Sequence, residues 1–308
     1  KKKPEEKVEL QKKQHKEHIG KQIKAAREFA HKITKEQKGE EKKKEKDLKQ
    51  AKKFRTGIKG FDSLMKEGIP EGSAILVAGG PGTGKTIFCL QVIWNAIQNG
   101  KKCLYMSFEE NEDRLKQHMR DFGWDPKPFI KKGTLQVKRF NTLDIARSIE
   151  ALLSEAKKEL LIDIQPVLVP EGFEPEIVVI DSLSAIASAF SGEESRYRIY
   201  IEQLFRFLEQ SHITSFLITE TTHPESLALT ESGIEGFLAD GIIVLYNVAY
   251  ESEGARAFGI EVLKMRGEEI AKKIVNMDIV SGKGIVVYPK KKLITDGEFH
   301  GFSAGFPI

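Results

Sequence analysis

Eight residues in this 308-residue sequence carry the strongest chemical signal. Gly79-Gly80-Pro81-Gly82-Thr83-Gly84-Lys85-Thr86 fits the pattern G-x-x-x-x-G-K-[ST] in full. Glycines at these positions let consecutive backbone N–H groups turn toward phosphate oxygens. A helix opening near Gly84 would add its positive end. The pattern therefore predicts a nucleotide site across Gly80, Pro81, Gly82, Thr83, Gly84, Lys85, Thr86 and Ile87. Lys85 is expected to reach the β- and γ-phosphates of ATP, and Thr86 to place its hydroxyl on Mg2+.

Binding alone does not hydrolyse. A second magnesium ligand is needed, and Asp181 fits: it closes the apolar run Glu176–Ile180 and so stands at the C-terminal end of a strand. Asp181 is equally placed to cap a helix starting near Leu183, and the two roles are compatible. A group that orients water is also required. Glu109 and Glu110 follow the apolar stretch 103–108, so one carboxylate could act on water if that strand shares a sheet with Asp181. Acidic residues also commonly open helices.

These residues need a frame. An apolar strand at 74–78 enters the glycine loop, and residues 85–99 are apolar at helical spacing. Strands are expected at 103–108, 134–138, 176–180 and 214–219. Helices are expected at 112–122, 142–158 and 197–210. Strands at 241–248, 258–265, 273–279 and 284–288 finish the chain as an antiparallel meander. The alternation predicts an α/β fold: a mainly parallel, twisted sheet flanked by helices, with an antiparallel C-terminal extension. The stretch 160–173, with Pro166 and Pro170, reads as an insertion loop.

Charge divides the chain in two. Residues 1–53 hold 20 Lys or Arg against 10 Asp or Glu, and the remaining 255 hold 29 against 35. The first segment has too little apolar surface to form a core. It reads as a charged, Lys-rich, helical or disordered extension, and the domain proper as 54–308. No apolar run is long enough for a membrane span, and the Lys-rich start is unlike a signal peptide. A cytoplasmic setting follows. Cys89 and Cys103 read as buried apolar residues rather than metal ligands.

Several strings together resemble the KaiC-like branch of the RecA-like P-loop ATPases: Thr56-Gly57-Ile58-Lys59-Gly60-Phe61-Asp62-Ser63-Leu64; Ser107-Phe108-Glu109-Glu110; Ile180-Asp181-Ser182; the stretch 233–241; and Lys264-Met265-Arg266-Gly267. The resemblance spans about residues 54–290. It implies a RecA-like core and a homo-oligomer, commonly a hexamer, with ATP between subunits. It implies that Glu109 activates water with Glu110 in support. It also implies that Lys264 and Arg266 reach a neighbour's γ-phosphate. Glu220, after the strand at 214–219, is expected to sense that phosphate.

Alternatives remain. A RadA-type recombination ATPase should line its DNA path with cations, yet the loops at 189–197 and 221–236 carry Glu193, Glu194, Glu225, Glu231 and Glu235 against Arg196. Nucleic acid binding is therefore expected through residues 1–53 only. A nucleotide sensor with negligible turnover, or an autokinase using Thr230 or Ser232, is the other reading. The role expected for the ATPase itself is regulatory or signalling.

Overall fold

The computed structural model of the chain describes residues 42–142, 169–170, 172–221, 233–250 and 255–292. The expected helix at 142–158 beyond its first residue, most of the loop at 160–173, residues 1–41, and Glu225, Thr230, Glu231 and Ser232 lie outside them. Contacts divide the chain into Lys1–Asp47 and Leu48–Ile308. Residues 42–47 of the first unit are helical. The second unit carries the sheets.

A two-strand ribbon, β1 (Lys53–Phe54) and β2 (Ile69–Pro70), precedes the main sheet. The sheet has nine strands. They are β3 (Ala74–Gly79), β4 (Cys103–Ser107), β5 (Leu135–Arg139), β6 (Ile177–Asp181), β7 (Thr214–Glu220), β8 (Gly241–Tyr250), β9 (Ala255–Met265), β10 (Val275–Val280) and β11 (Gly284–Lys292). Their order is β11-β10-β9-β8-β3-β7-β6-β4-β5. From β8 to β5 all neighbours are parallel, and β9, β10 and β11 continue antiparallel. This is the architecture expected from the alternation of elements.

Side chains alternate across each strand, and the sheet accordingly separates two cores. Ile75 and Val77 of β3 pack with Phe88, Val92 and Ile93 of the helix Lys85–Gln98. Leu76 and Ala78 face Ile201, Leu204 and Leu208 of the helix Glu194–Gln210. The helix Glu194–Gln210 buries one stripe, Tyr197, Tyr200, Ile201, Leu204, Phe205 and Leu208, as its apolar spacing predicts, whereas the helix Lys85–Gln98 is buried on nearly every face from Phe88 to Ile93.

The string from Thr56 to Leu64 is structural. Asp62 Oδ1 accepts from the Thr56 backbone N–H at 2.9 Å and from its hydroxyl at 2.7 Å, and Oδ2 accepts from the Gly57 N–H at 2.9 Å. Asn95 of the Lys85–Gln98 helix donates to Thr56 O at 2.9 Å. Gly60 has a left-handed φ of 82°, and a Cβ there would lie 2.0 Å from Val287 O. The turn therefore wedges between that helix and β11. One turn earlier on the same face, Gln91 donates to Lys283 O and Ile285 O and accepts from Ile285 N–H. The antiparallel extension is thus fastened to the helix that follows the glycine loop.

Candidate functional site

The parallel register sets the site. Ser107 of β4 pairs with Asp181 of β6, and Gly79 of β3 pairs with Glu220 of β7. All four strands therefore end at one edge of the sheet, where the glycine loop leaves β3. Glu109 and Glu110 emerge just past β4 at that edge. Gly84 takes φ 95° as the helix begins, and a Cβ there would sit 2.9 Å from Ile279 Cδ1.

Lys85 is buried, and its Nζ donates to Gly79 O and Gly80 O at 2.9 Å each. Glu220 Oε1 stands 3.8 Å away. Burial lowers the ammonium's pKa, and the charges of Glu220, Asp181 and Glu109 oppose that drop. The Thr86 hydroxyl donates to Asp181 Oδ2 at 3.1 Å. Tyr105 OH donates to the same oxygen at 2.6 Å. Asp181 is 5% exposed. Burial pushes its carboxyl up to about 6, against the hydroxyl of Tyr105. Glu109 and Glu110 add to the rise, while Thr86 also opposes it.

The two glutamates are held differently. Ser182 Oγ donates to Glu109 Oε1 and accepts from Ala185 N–H at 3.1 Å. Ser182, not Asp181, is therefore the cap of the helix Leu183–Ser188. Asp181 is left to the cavity. Glu110 Oε2 lies 3.0 Å from His118 Nε2 and 3.5 Å from Arg114 Nε. Its backbone N–H donates to Ser107 Oγ at 2.9 Å.

These groups surround a cavity of about 370 Å³. Glu109, Glu110, Asp181 and Glu220 line it with Lys85 and Thr86, and the charges of Glu220, Asp181 and Glu109 act on Lys85. Ile87, Leu90, Phe122 and Ile279 add apolar lining. Such a pairing suits a ligand with a charged end and a flat apolar end. Asp181 and Thr86 offer two hard oxygens, but no group of three or more His, Cys, Asp or Glu among the described residues could cage a metal. That donor set fits magnesium, which keeps waters and takes phosphate oxygens for the remaining positions.

Lys264 and Arg266 lie elsewhere. Gly241 pairs with Ile75, and Leu245 with Gly79, so β8 starts at the edge opposite the glycine loop. β9 runs back along β8 and brings Lys264 opposite Ile242. At about 3.3 Å per residue this leaves roughly 10 Å or more between Lys264 and the loop's edge. Lys264 Nζ donates to Gly236 O at 3.0 Å and Ala239 O at 2.6 Å. Arg266 donates to Phe237 O, Leu238 O and Asp240 Oδ1. Glu235, counted above among acidic loop residues, is buried and accepts from Tyr197 OH.

Tyr105, Ser182 and His118 join the site without a role marked in the sequence. A polar hydroxyl in the apolar strand 103–107 was the available signal for Tyr105, since a buried tyrosine seeks a partner.

The family model described as "ATPase: KaiC" matches residues 54–292. A UPF0273 protein of Pyrococcus horikoshii is 32% identical over 249 residues, covering 78% of this chain and 96% of that protein. The circadian clock protein KaiC3 of a Synechocystis species is 32% identical over 244 residues, 77% of this chain and 46% of that protein. This chain thus spans about half the length of the clock protein. The crystal structure of a KaiC-like protein from Pyrococcus horikoshii superposes with a TM-score of 0.62 at 31% identity, covering 78% of this chain and all of the other.

Proposed function

The chain belongs to the KaiC family of ATPases, and on that premise we propose that it hydrolyses ATP with Mg2+ at a site completed by a second copy of itself. The convergence of Lys85, Thr86, Asp181 and Glu109 on one cavity carries this reading. With ATP bound, Lys85 exchanges the carbonyls of Gly79 and Gly80 for β- and γ-phosphate oxygens. Thr86 and Asp181 would hold the magnesium ion, whose chemistry there would be neutralisation of phosphate charge. Glu109, held by Ser182, orients a water in line with the γ-phosphate, and Glu220 beside Lys85 registers that phosphate. ADP and inorganic phosphate are the products.

Lys264 and Arg266 cannot serve their own cavity from the opposite edge, which favours delivery to a neighbour's. Charge on a phosphoryl group in transfer calls for such a cation. Copies joined edge to edge make head-to-tail contacts, which close into a ring where the rotation between copies closes and extend as an open row where it does not. A hexamer is the ring that the family resemblance favours. The clock names of the Synechocystis relatives favour a regulatory role, in which turnover sets the state of a partner. Cys89 and Cys103 are free and buried, which suits a reducing cytoplasm. Among the described residues no helix is long and apolar enough to cross a membrane. Residues 1–53 form the segment suited to nucleic acid; salt-dependent binding lost on their deletion is its test.

Turnover by wild type and by Glu109→Gln tests the reading. The variant should bind ATP and fail to hydrolyse it. Mixing inactive Arg266→Ala with inactive Lys85→Ala should restore part of the activity, because mixed pairs include one intact site. No turnover by concentrated wild type would sink the enzyme reading in favour of a sensor, and no rescue between variants that circular dichroism shows to be folded would sink the shared site.

A further inference from the structure

Phe237 is 75% exposed, far beyond the other large apolar side chains on the described surface, of which Leu263 at 40% comes next. Its place is specific. It belongs to the helix Ile234–Leu238, whose last carbonyls are gripped by Lys264 and Arg266, and Arg266 Nη2 donates to Phe237 O itself at 3.2 Å. Leu263 adjoins Lys264 on β9. The edge opposite the glycine loop thus presents an aromatic ring and an aliphatic side chain beside two cations.

The cavity edge is its complement. Glu109, Glu110, Asp181 and Glu220 line it together with Ile87, Leu90, Phe122 and Ile279. Of the apolar set, Ile87, Phe122 and Ile279 are only partly buried. An exposed aromatic flanked by Arg is the composition of an interface anchor, whereas scattered single apolar residues carry little meaning. Both charge and apolarity match between the two edges of one chain, so the fitting partner is a second copy.

We infer that Phe237 anchors the contact between copies by seating on the partly exposed Phe122 and Ile279 at the next copy's cavity, which brings Lys264 and Arg266 toward the carboxylates that line it. This rests on the shared-site reading and adds the residue that holds the two copies in register. The arrangement also ties anchor to cation: the Phe237 carbonyl is an acceptor of Arg266, so seating the ring fixes where that guanidinium points.

The test uses the full chain with Mg-ATP. Phe237→Ser removes an exposed ring and should leave the fold intact, which circular dichroism checks. It should raise the concentration at which subunits assemble, read by mass photometry, by about tenfold or more, while Phe237→Leu stays within about threefold of wild type. A cysteine pair tests the acceptor. Met277 pairs with Phe258, placing Ile279 about eight strand residues, roughly 27 Å, from Lys264 along the sheet. A disulfide needs Cα atoms within about 7 Å. Phe237→Cys with Ile279→Cys can therefore join only different copies, and Cys89 and Cys103 are buried and do not compete. Mild oxidation should give a ladder of linked chains. Unchanged assembly of Phe237→Ser overturns the inference, as does an assembled cysteine pair without a ladder; rescue in the Arg266/Lys85 mixture would then leave the shared site standing. Wild type monomeric at every concentration overturns both.

Discussion

Tyr105 donates a 2.6 Å hydrogen bond to Asp181 Oδ2, the oxygen that Thr86 reaches from the glycine loop at 3.1 Å. A tyrosine fully buried in β4 thus fixes the orientation of the carboxylate that is to share a metal ion with Thr86. Tyr105→Phe keeps the ring and deletes the donor. A hydrogen bond to a charged group contributes about 1.5–3 kcal/mol, so Mg-ATP affinity should fall by about tenfold or more. The carboxyl, losing a partner of its ionised form, should also titrate higher. Calorimetric titration of Mg-ATP between pH 5 and 8 reads both; an unchanged affinity and pH midpoint would show that Tyr105 does not act on Asp181.

Asp181 makes stability depend on pH. Its folded-state pKa, about 6, lies above the ordinary 3.8 because of burial. The folded chain then binds the proton more tightly than the unfolded one between these values. Stability from this group is fully present below about pH 4 and is lost as pH rises through 6. The loss is on the order of 3 kcal/mol. Asp181→Asn removes the buried charge and keeps an acceptor for Tyr105 and Thr86. It should leave nucleotide-free stability similar to wild type at pH 4, raise it above wild type at pH 8, and abolish magnesium-dependent turnover. Urea denaturation at the two pH values is the check, and identical pH slopes for both proteins would count against it.

Ser182 holds Glu109 and caps a helix at once. Ser182→Ala should cost about 1 kcal/mol through the lost cap. It should also lower kcat while leaving ATP affinity within about twofold, because a freed Glu109 acts only on the attacking water. A merely structural serine would show the stability loss with kcat unchanged.

Arg266 has a local task besides any role toward a neighbour. It pairs with Asp240, whose side chain is 2% exposed and which also accepts from the Ala74 N–H at the start of β3. Arg266→Ala leaves that charge with fewer partners and should destabilise the chain by about 2–4 kcal/mol. Turnover by this variant alone is therefore an ambiguous measure. The stability loss should appear in urea melts of wild type and variant. Double substitution with Asp240→Asn should recover part of it, and a fully additive double variant would show the pair to be uncoupled.

Asp62 should prove as important to folding as a core residue. Three donors converge on its carboxylate. Asp62→Ala strands them and is expected to cost about 2–4 kcal/mol, with Asp62→Asn recovering part. Denaturant midpoints test this; a loss under about 0.5 kcal/mol would contradict the cage.

The glycine loop, Asp181 and Glu109 were legible because each is marked by its neighbours in sequence: a strand before, a turn or helix after. The antiparallel extension was legible from strands following one another without helices. Strand order was not, since β3 lies between β7 and β8, and only long-range pairing decides that. The ribbon of β1 and β2 and the helix Lys127–Lys132 are too short to show a period. β9 begins at Ala255, three residues before the apolar pattern suggested, because backbone pairing with β8 extends past the apolar residues. The site residues that were missed share one cause. Tyr105, Ser182 and His118 act on a carboxylate brought near by folding or by a turn, and nothing in their own neighbourhoods records that meeting.

The reversal of direction at β9 has an arithmetic consequence. It puts cations on one edge and the nucleotide cavity on the other, so on the proposed reading each join between copies completes one site. An open row of n subunits then has n − 1 working sites, and its end cavity stays idle. Activity per subunit is zero for a lone chain and half-maximal for a pair. It climbs with row length and becomes full only when the last copy meets the first. Specific activity would therefore count joins rather than chains.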